Sequence, residues 1–153
     1  NLSLNQKTVL NYLDILEKMF IIVNLRGFSR NLRKEISKTS KYYFVDTGVR
    51  NAIIRNFNPL RLRADAGELF ENWFIMERIK KAGNSRNPAN FYFWRTYNKR
   101  EIDLVEEQGG KLHGWECKYS RDISVAPPDW LNTYSNADYT VVNKENYFKF
   151  LTV

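Results

Sequence analysis

The chain has 153 residues, of which 43% are hydrophobic and 15% aromatic, so it can bury a core and does not have the composition of a disordered protein. One cysteine and one histidine exclude a disulfide framework and a cysteine-based zinc cluster, and they argue against a serine-hydrolase triad. No apolar run approaches the ~20 residues of a membrane-spanning helix and no signal peptide opens the sequence, so we expect a cytoplasmic protein that does not bind a membrane.

Positive charge is concentrated in the first part of the chain. Residues 1–63 carry 12 basic and four acidic side chains, and the remainder is close to neutral within a total of +7. This asymmetry predicts two modules, of which the first favours a polyanion such as DNA. A solvated basic surface without a partner explains the charge equally well. Because the sequence starts at Asn1 with a helical pattern almost at once, we expect a fragment of a longer protein.

The first module is predicted over residues 1–60. Ser3 or Asn5 can cap a helix that extends to about Met19, since apolar residues recur there at helical spacing. A strand at 21–25, a basic loop at 26–41, a strand at 41–45 and a short helix at 46–54 follow. This order is typical of the second half of a winged helix, whose first helices would precede the chain. Three basic residues of the loop are candidate nucleic-acid contacts: Arg30, Arg33 and Lys34.

The second module is predicted over residues 61–153, after a linker at 56–63 that contains Pro59 and lacks periodicity. A long helix at 64–81 precedes a strand at 91–95 and a β-hairpin. A helix at 127–136 and strands at 139–142 and 147–152 complete the module. The core order is therefore αβββαβ, an α/β fold.

The hairpin brings charged residues together. Gly109-Gly110 can adopt the positive φ of a tight turn, which sets Gln108 opposite Lys111 and, counting back, Asp103 opposite Glu116. Facing carboxylates repel each other, so a bound divalent cation is the simplest explanation of this pair. A solvated strand face with scattered charges is an equally good interpretation of the hairpin alone.

The same register gives the hairpin one charged face and one apolar face. The apolar face would comprise Ile102, Leu104, Trp115 and Cys117. His113 falls on the apolar side, where we expect a packing role. On the charged face, Glu101 falls opposite Lys118 and would form an ion pair with it.

The element order resembles the restriction-endonuclease fold of the PD-(D/E)XK nuclease-like superfamily. Asp103 occupies the acidic position on the second strand, and Glu116-Cys117-Lys118 matches the E-x-K of the third strand. Ile102 replaces the proline of the family motif. Glu71 matches a first-helix glutamate that several branches of the superfamily add to the metal site. It shares a helix side with Ile75 and Ile79, so we expect it to point inward.

This resemblance implies a catalytic set and a metal site. Asp103 and Glu116 would bind Mg²⁺ or Mn²⁺, with the backbone carbonyl of Cys117 and the side chain of Glu71 as further ligands. Lys118 would position or activate the attacking water. Three nearby basic residues would contact phosphates: Arg95, Lys99 and Arg100.

Five segments also resemble a widespread prokaryotic family of AAA+ type ATPases. These segments are Ser29–Glu35, Lys41–Gly48, Leu69–Asn72, Phe93–Thr96 and Glu116–Ser120. In that family an ATPase domain and a winged helix precede the domain of unknown function 4143, which is nuclease-like. The sequence contains no G-x-x-x-x-G-K-[ST] loop, so ATP would bind only to an N-terminal domain absent from it.

Two functional hypotheses follow. The first is a metal-dependent nuclease domain that hydrolyses phosphodiester bonds of DNA. The second is a catalytically idle module that binds DNA or protein and regulates the ATPase. The first helix has two interpretations as well: Lys7 and Asn11 would enter a DNA groove, or the winged helix would be an internal packing element, as it often is in ATPases of this general type, which is the interpretation we favour. The expected partners are DNA and that ATPase domain, and an oligomer is compatible with the sequence.

Overall fold

The apolar segments of the sequence form a mixed α/β fold in the computed structural model, which describes residues 4–30, 39–86, 88–120 and 125–152. The strands are β1 (Ile22–Gly27), β2 (Ser40–Phe44), β3 (Asn90–Arg95), β4 (Glu101–Gln108), β5 (Lys111–Cys117) and β6 (Ala137–Val142). The helices are α1 (Gln6–Lys18), α2 (Thr47–Ile53), α3 (Ala66–Asn84), α4 (Pro128–Thr133) and α5 (Phe148–Leu151), and a 3₁₀ turn spans Leu60–Leu62. No helix among the described residues is long and apolar enough to cross a membrane.

The strands of the described residues form a six-stranded sheet in the order β2-β1-β3-β4-β5-β6. Neighbouring strands are antiparallel except for the β1–β3 and β5–β6 pairs, which are parallel. The β1–β2 hairpin therefore joins the same sheet as the strands that follow residue 61. The division of the chain into modules at residues 60 and 61 stays a prediction.

Local capping fixes the helix starts close to where the sequence predicts them. The Asn5 side chain accepts a hydrogen bond of 2.8 Å from the backbone N–H of Thr8, which confirms it as the cap of α1, while Ser3 lies outside the described residues. Asp46 caps α2 by accepting from the N–H of Gly48 at 2.6 Å. α1 buries none of its residues within the described part of the chain.

The segment predicted as a linker is anchored to α2 and to the start of α3. The Arg63 guanidinium is buried and donates to the carbonyl of Asn56 at 2.9 Å. It also donates to Asp65, which accepts a second hydrogen bond of 2.6 Å from Arg50. These ionic contacts hold the 3₁₀ turn against the first turn of α3, which carries part of the candidate site.

The hairpin turn confirms the predicted register near its tip. Gly109 and Gly110 have φ values of 55° and 77°, which are accessible to glycine at little cost. Gln108 pairs with Lys111, and regular pairing of β4 with β5 continues as far as Leu104 and Trp115.

β4 contains a β-bulge that the sequence analysis did not anticipate. The β3–β4 register shifts by one residue, so Asp103 and Leu104 together lie opposite Phe93. An extra residue in a strand interrupts the alternation of side chains between the two faces. Leu104 consequently packs towards α3 whereas Ile102 packs towards α4. The prediction that Ile102 and Leu104 share one apolar face is wrong for this reason.

Each face of the sheet has its own apolar core. The core on the α3 side includes Phe70, Phe74, Ile75, Phe93, Leu104, Trp115, Cys117 and Val142. The core on the α4 side includes Phe28, Trp94, Ile102, Val105, Leu112, Trp130 and Tyr134. His113 stacks on Trp115 with ring centroids 4.1 Å apart and hydrogen-bonds to Thr140 at 3.0 Å, so the structure gives it the expected packing role.

The strand predicted at 147–152 is instead the one-turn helix α5, so that prediction is wrong. After β6, the carbonyl of Asn143 accepts from the N–H of Tyr147 at 3.0 Å and turns the chain back. The helical turn places the ring centroids of Phe150 and Trp115 5.0 Å apart. The backbone carbonyl of Phe150 accepts a hydrogen bond of 2.6 Å from Arg78 of α3. Tertiary contacts with α3 thus decide the conformation of a segment whose apolar pattern is too short to specify it.

Candidate functional site

Asp103 lies at the bulge of β4 and is turned towards α3. It exposes 9% of its surface, and its Oδ2 accepts a hydrogen bond of 2.9 Å from the backbone N–H of Cys117. This bond connects β4 to β5 beyond Leu104 and Trp115, where their regular pairing ends. A carboxylate so deeply buried needs polar neighbours, and they come from three other elements.

Glu71 of α3 lies on the same side of the sheet, as expected from its inward position on the helix. Its Oε1 accepts a hydrogen bond of 2.6 Å from the Tyr43 hydroxyl of β2. Lys41, two residues before Tyr43, places its Nζ 3.5 Å from Glu71 Oε1 and 3.6 Å from Asp103 Oδ1. The same ammonium contacts Glu101 Oε1. Lys41 therefore lies among three carboxylates.

Sequence reasoning missed Lys41 and Tyr43 as members of this site. Their spacing of two residues on a predicted strand indicates that they share a face, but it does not say which element covers that face. The parallel pairing of β1 with β3 is what brings the β1–β2 hairpin to the carboxylates. That long-range contact has no local signal in the sequence.

The predicted ion pair between Glu101 and Lys118 is wrong. Glu101 contacts Lys41 and lies 3.4 Å from Arg95, whereas Lys118 Nζ is 2.7 Å from Glu116 Oε1. The prediction extended a regular register past Asp103. The bulge ends that register and turns Glu101 towards β2 and β3.

Glu116 and Lys118 approach the site from the other side of β5. Cys117 packs in the core on the α3 side, whereas a side chain at Gly114 would meet Ile102 and Trp130 on the α4 side. Alternation along β5 places Glu116 with Gly114, so Asp103 and Glu116 are not the same-face pair that the regular register predicts. Glu116 Oε2 is buried and has no hydrogen-bond partner among the described residues.

The charges of the site influence one another despite this difference in face. Burial, followed by the carboxylates of Glu71 and Glu116, raises the pKa of Asp103 to about 7 against the opposing influence of Lys41 and of the Cys117 N–H. Burial lowers the pKa of Lys41, but the surrounding carboxylates outweigh that effect, so its pKa is raised overall. Lys41 and Arg95 together face three acidic side chains, those of Glu71, Glu101 and Asp103, and so neutralise this part of the site incompletely.

The two groups on β5 that flank Glu116 differ in their chemistry. Burial raises the pKa of the Cys117 thiol well above its usual value, so it is a neutral packing group and not a nucleophile. The hydrogen bond to Glu116 raises the pKa of Lys118, which therefore stays cationic at neutral pH. Lys118 can supply positive charge and hydrogen bonds without giving up a proton.

The donors at the site suit a hard divalent cation, although they are not gathered around one. In the part of the chain that the structure describes, no group of three or more His, Cys, Asp or Glu side chains is arranged so that it could hold a metal ion. Asp103, Glu71 and Glu116 nevertheless supply carboxylate oxygens, the ligands that Mg²⁺ and Mn²⁺ prefer. Among the residues that the structure describes, the buried Oε2 of Glu116 has no hydrogen-bond partner, and the Lys41 ammonium lies between the other carboxylates as a cation would.

A surface cleft of about 610 Å³ opens at this end of the sheet. Its lining includes Glu71, Lys118, Arg61 and Ser120. An adjoining pocket of about 460 Å³ shares Tyr119 with the cleft and is lined mainly by apolar and aromatic side chains. The charged site is therefore accessible from solvent, with an aromatic surface beside it.

The basic residues predicted to contact phosphate are distributed around the sheet. Arg95 lies beside the site, with its Nε 3.4 Å from Glu101 Oε2, while Arg100 pairs with Asp129 at 3.3 Å. Lys99 is exposed in the turn between β3 and β4, with a φ of 62°.

Of the three candidate nucleic-acid contacts in the first module, Arg30 alone lies among the described residues, and it is distant from Arg95 along the sheet. Arg30 Nη2 is 3.1 Å from Glu107 Oε1 near the opposite end of β4. Arg33 and Lys34 fall outside the described residues. A contact of these residues with nucleic acid remains a prediction.

Comparison with known proteins places the chain among families of undefined role. The sequence profile of the domain of unknown function DUF4143 matches residues 66–148, and that of the domain of unknown function DUF8612 matches residues 1–60. The uncharacterized proteins Rv2008c of Mycobacterium tuberculosis and Mb2031c of Mycobacterium bovis are each 29% identical to the chain over 128 residues. The alignment covers 82% of the chain but 28% of each relative, so the chain spans little more than a quarter of their length. No solved structure matches the chain significantly.

Proposed function

The chain belongs to the family of the domain of unknown function DUF4143, and from this premise we propose that it forms a metal-dependent nuclease domain that hydrolyses phosphodiester bonds of DNA. The observation that carries the proposal is the burial of Asp103 beside the carboxylates of Glu71 and Glu116, with Lys118 next to them. Unfavourably placed like charges at the wall of a cleft are typical of functional sites. The order α3-β3-β4-β5-α4-β6 supports a restriction-endonuclease-like core.

The proposed roles follow from the chemistry of the side chains. Asp103 and Glu116 would hold the divalent cation, assisted by Glu71 and by the backbone carbonyl of Cys117. When bound, Mg²⁺ or Mn²⁺ supplies Lewis acidity that acidifies a water and offsets the charge of the scissile phosphate. Asp103 is fixed for its role by the N–H of Cys117.

Lys118 has an electrostatic role in this proposal. Its raised pKa keeps it protonated, so it orients the attacking water and stabilises developing negative charge instead of accepting a proton. Glu116 holds its ammonium at 2.7 Å. Arg95, at the rim of the site, would contact the substrate backbone.

We extend the proposal to the longer protein. The relatives have far more sequence than the aligned region, which leaves room for an AAA+ type ATPase domain ahead of a winged helix over residues 1–60. In that arrangement ATP binds only to the ATPase domain, which would position or admit DNA to the site described above.

A catalytically idle regulatory module is the second candidate. The observation that favours it is the ammonium of Lys41, which lies among the carboxylates where a metal ion would otherwise bind. In this alternative the lysine is a permanent structural ion pair, and the sheet is a scaffold for DNA or protein binding.

One experiment separates the two candidates. Duplex, single-stranded and branched DNA are incubated with the protein and Mg²⁺ or Mn²⁺, alongside Asp103→Asn and Lys118→Met. Matched controls are Glu77→Gln and Lys80→Met, which alter an exposed ion pair of α3. Cleavage that disappears in both site variants and persists in both controls supports the nuclease. Cleavage that persists in the site variants refutes the site, and no cleavage by the wild type favours the regulatory module.

A further inference from the structure

We propose that Lys41 is a tethered counter-ion of the carboxylate cluster and competes with the divalent cation for it, an inference that rests on the proposed metal site. In the metal-free protein its ammonium holds Glu71, Glu101 and Asp103 together. On metal binding the ammonium leaves the cluster. Lys41 thereby sets the metal affinity of the site.

The Lys41 ammonium is surrounded by several carboxylates, as a bound cation would be, and is not paired with a single partner as in a surface ion pair. Its Nζ lies 3.5 Å from Glu71 Oε1 and 3.6 Å from Asp103 Oδ1, and it contacts Glu101 Oε1 as well. The carboxylates come from α3 and β4, whereas the lysine comes from β2. One ammonium on β2 thus joins three acidic side chains that come from two other elements of the fold.

A divalent cation and this ammonium exclude each other. A metal ion bound to Asp103 and Glu71 would lie within a few ångströms of Lys41 Nζ, where two positive charges repel strongly because the surroundings are largely buried. The metal brings two positive charges to the cluster in place of one. The lysine must therefore move outward for the metal to enter.

Lys41 has room to make this movement. Its side chain is 25% exposed, and its ammonium lies 5.6 Å from the centre of the Phe93 ring. The flexible stem of a lysine can turn the ammonium to solvent while its methylene groups stay on the ring. A displaced ammonium would also be available to a phosphate of the substrate.

The competition between Lys41 and the metal makes the metal site depend on the β1–β2 hairpin. Lys41 and Tyr43 both belong to β2, and the Tyr43 hydroxyl holds Glu71 through a hydrogen bond of 2.6 Å. A partner that shifts this hairpin would move the counter-ion and one metal ligand together. Residues 1–60 would then regulate the site formed by the rest of the chain.

Metal binding tests the proposal without relying on cleavage. Binding of Mn²⁺ is measured by titration calorimetry for the wild type, Lys41→Met, Lys80→Met and Asp103→Asn. Lys80→Met is the matched control, since it makes the same change at a lysine that pairs with Glu77 on an exposed part of α3. Lys41→Met should bind Mn²⁺ more tightly than the wild type by on the order of tenfold or more, whereas Lys80→Met should change the affinity by less than about threefold. Asp103→Asn should abolish binding.

Each other outcome contradicts a specific part of the proposal. Equal or weaker Mn²⁺ binding by Lys41→Met overturns the competition and leaves the metal site intact. Absence of Mn²⁺ binding by both the wild type and Lys41→Met refutes the metal site and, with it, the role of Lys41. Circular dichroism verifies the fold of each variant, and Lys41→Gln, which keeps the length and a hydrogen-bond donor, replaces Lys41→Met if that variant does not fold.

Discussion

The backbone N–H of Cys117 donates a hydrogen bond of 2.9 Å to Oδ2 of Asp103, at the point where regular pairing of β4 and β5 has ended. The bulge makes this contact by turning Asp103 from the β3–β4 ladder towards β5. One carboxylate thus completes the backbone hydrogen bonding of a neighbouring strand and also carries charge into the candidate site. The two roles can be separated by substitution.

Asp103→Asn should be at least as stable as the wild type in metal-free buffer. The amide oxygen can still accept from the Cys117 N–H, and the variant removes a buried negative charge beside Glu71 and Glu116. Asp103→Ala leaves that N–H without a partner and should lower the free energy of unfolding by about 1–3 kcal/mol. Urea denaturation measures both changes. An Asn variant less stable than the Ala variant would contradict the assigned hydrogen bond.

Removing either partner of the ion pair between Arg78 and Glu106 should lower the free energy of unfolding more than removing both would suggest. Two hydrogen bonds of 2.6 Å join these largely buried side chains. Either Arg78→Met or Glu106→Leu should destabilise by roughly 3–5 kcal/mol, because it leaves a buried charge unpaired. The double variant should lose clearly less than the sum of the two. Removing the exposed pair of Glu77 with Lys80 should cost less than about 1 kcal/mol and serves as the control.

Stability should depend on pH through His113. Burial lowers the pKa of His113 and Arg78 adds to this effect, against the opposing carboxylates of Glu106 and Asp138. The unfolded chain then takes up the proton first as the pH falls below the ordinary histidine pKa of 6.5, so the stabilisation present above that pH is lost on acidification.

His113→Phe isolates this contribution because it keeps a ring against Trp115 and cannot titrate. Between about pH 7.5 and about pH 5.5, the free energy of unfolding of the wild type should fall relative to that of the variant by at most about 1.4 kcal/mol per pH unit. Urea titrations at both pH values give the difference. A difference independent of pH would show that His113 has the same pKa in both states.

Gly114 should be intolerant of alanine for steric reasons. An added Cβ would lie 3.2 Å from two carbons of Ile102 and 3.4 Å from Trp130 Nε1. Both neighbours are fully buried, so Gly114→Ala should destabilise by about 1–3 kcal/mol. On α3, a Cβ added at Gly83 would meet no atom of the described residues within 4 Å outside its own helix backbone, so Gly83→Ala should stabilise by about 0.5–1 kcal/mol. Thermal unfolding of the two variants should shift in opposite directions.

Much of the chain could be predicted because its signals are local. Asn5 caps α1, Gly109-Gly110 forms the hairpin turn, and the elements from α3 to β6 follow the predicted order αβββαβ. Each of these features depends on a few neighbouring residues or on the period of apolar side chains. The same reasoning correctly identified Glu71 as an inward-facing residue of its helix, and the hydrogen bond from Tyr43 confirms that orientation.

The predictions that are wrong concern contacts between distant segments. The bulge opposite Phe93 arises from the β3–β4 pairing, and it separates Ile102 from Leu104 and Glu101 from Lys118. The segment that forms α5 is too short for its apolar pattern to specify a conformation, and contacts with α3 hold it as a helical turn.

By itself, the sequence determined that a hairpin carries Asp103, Glu116 and Lys118, because turn chemistry and alternation are properties of adjacent residues. Only the tertiary structure decided how those groups are neutralised. Lys41 reaches Asp103, 62 positions further along the sequence, because β1 pairs in parallel with β3, a contact set by burial of the sheet and not by any local motif. The neighbours of a charged side chain determine whether its charge is neutralised, and tertiary packing determines which residues those neighbours are.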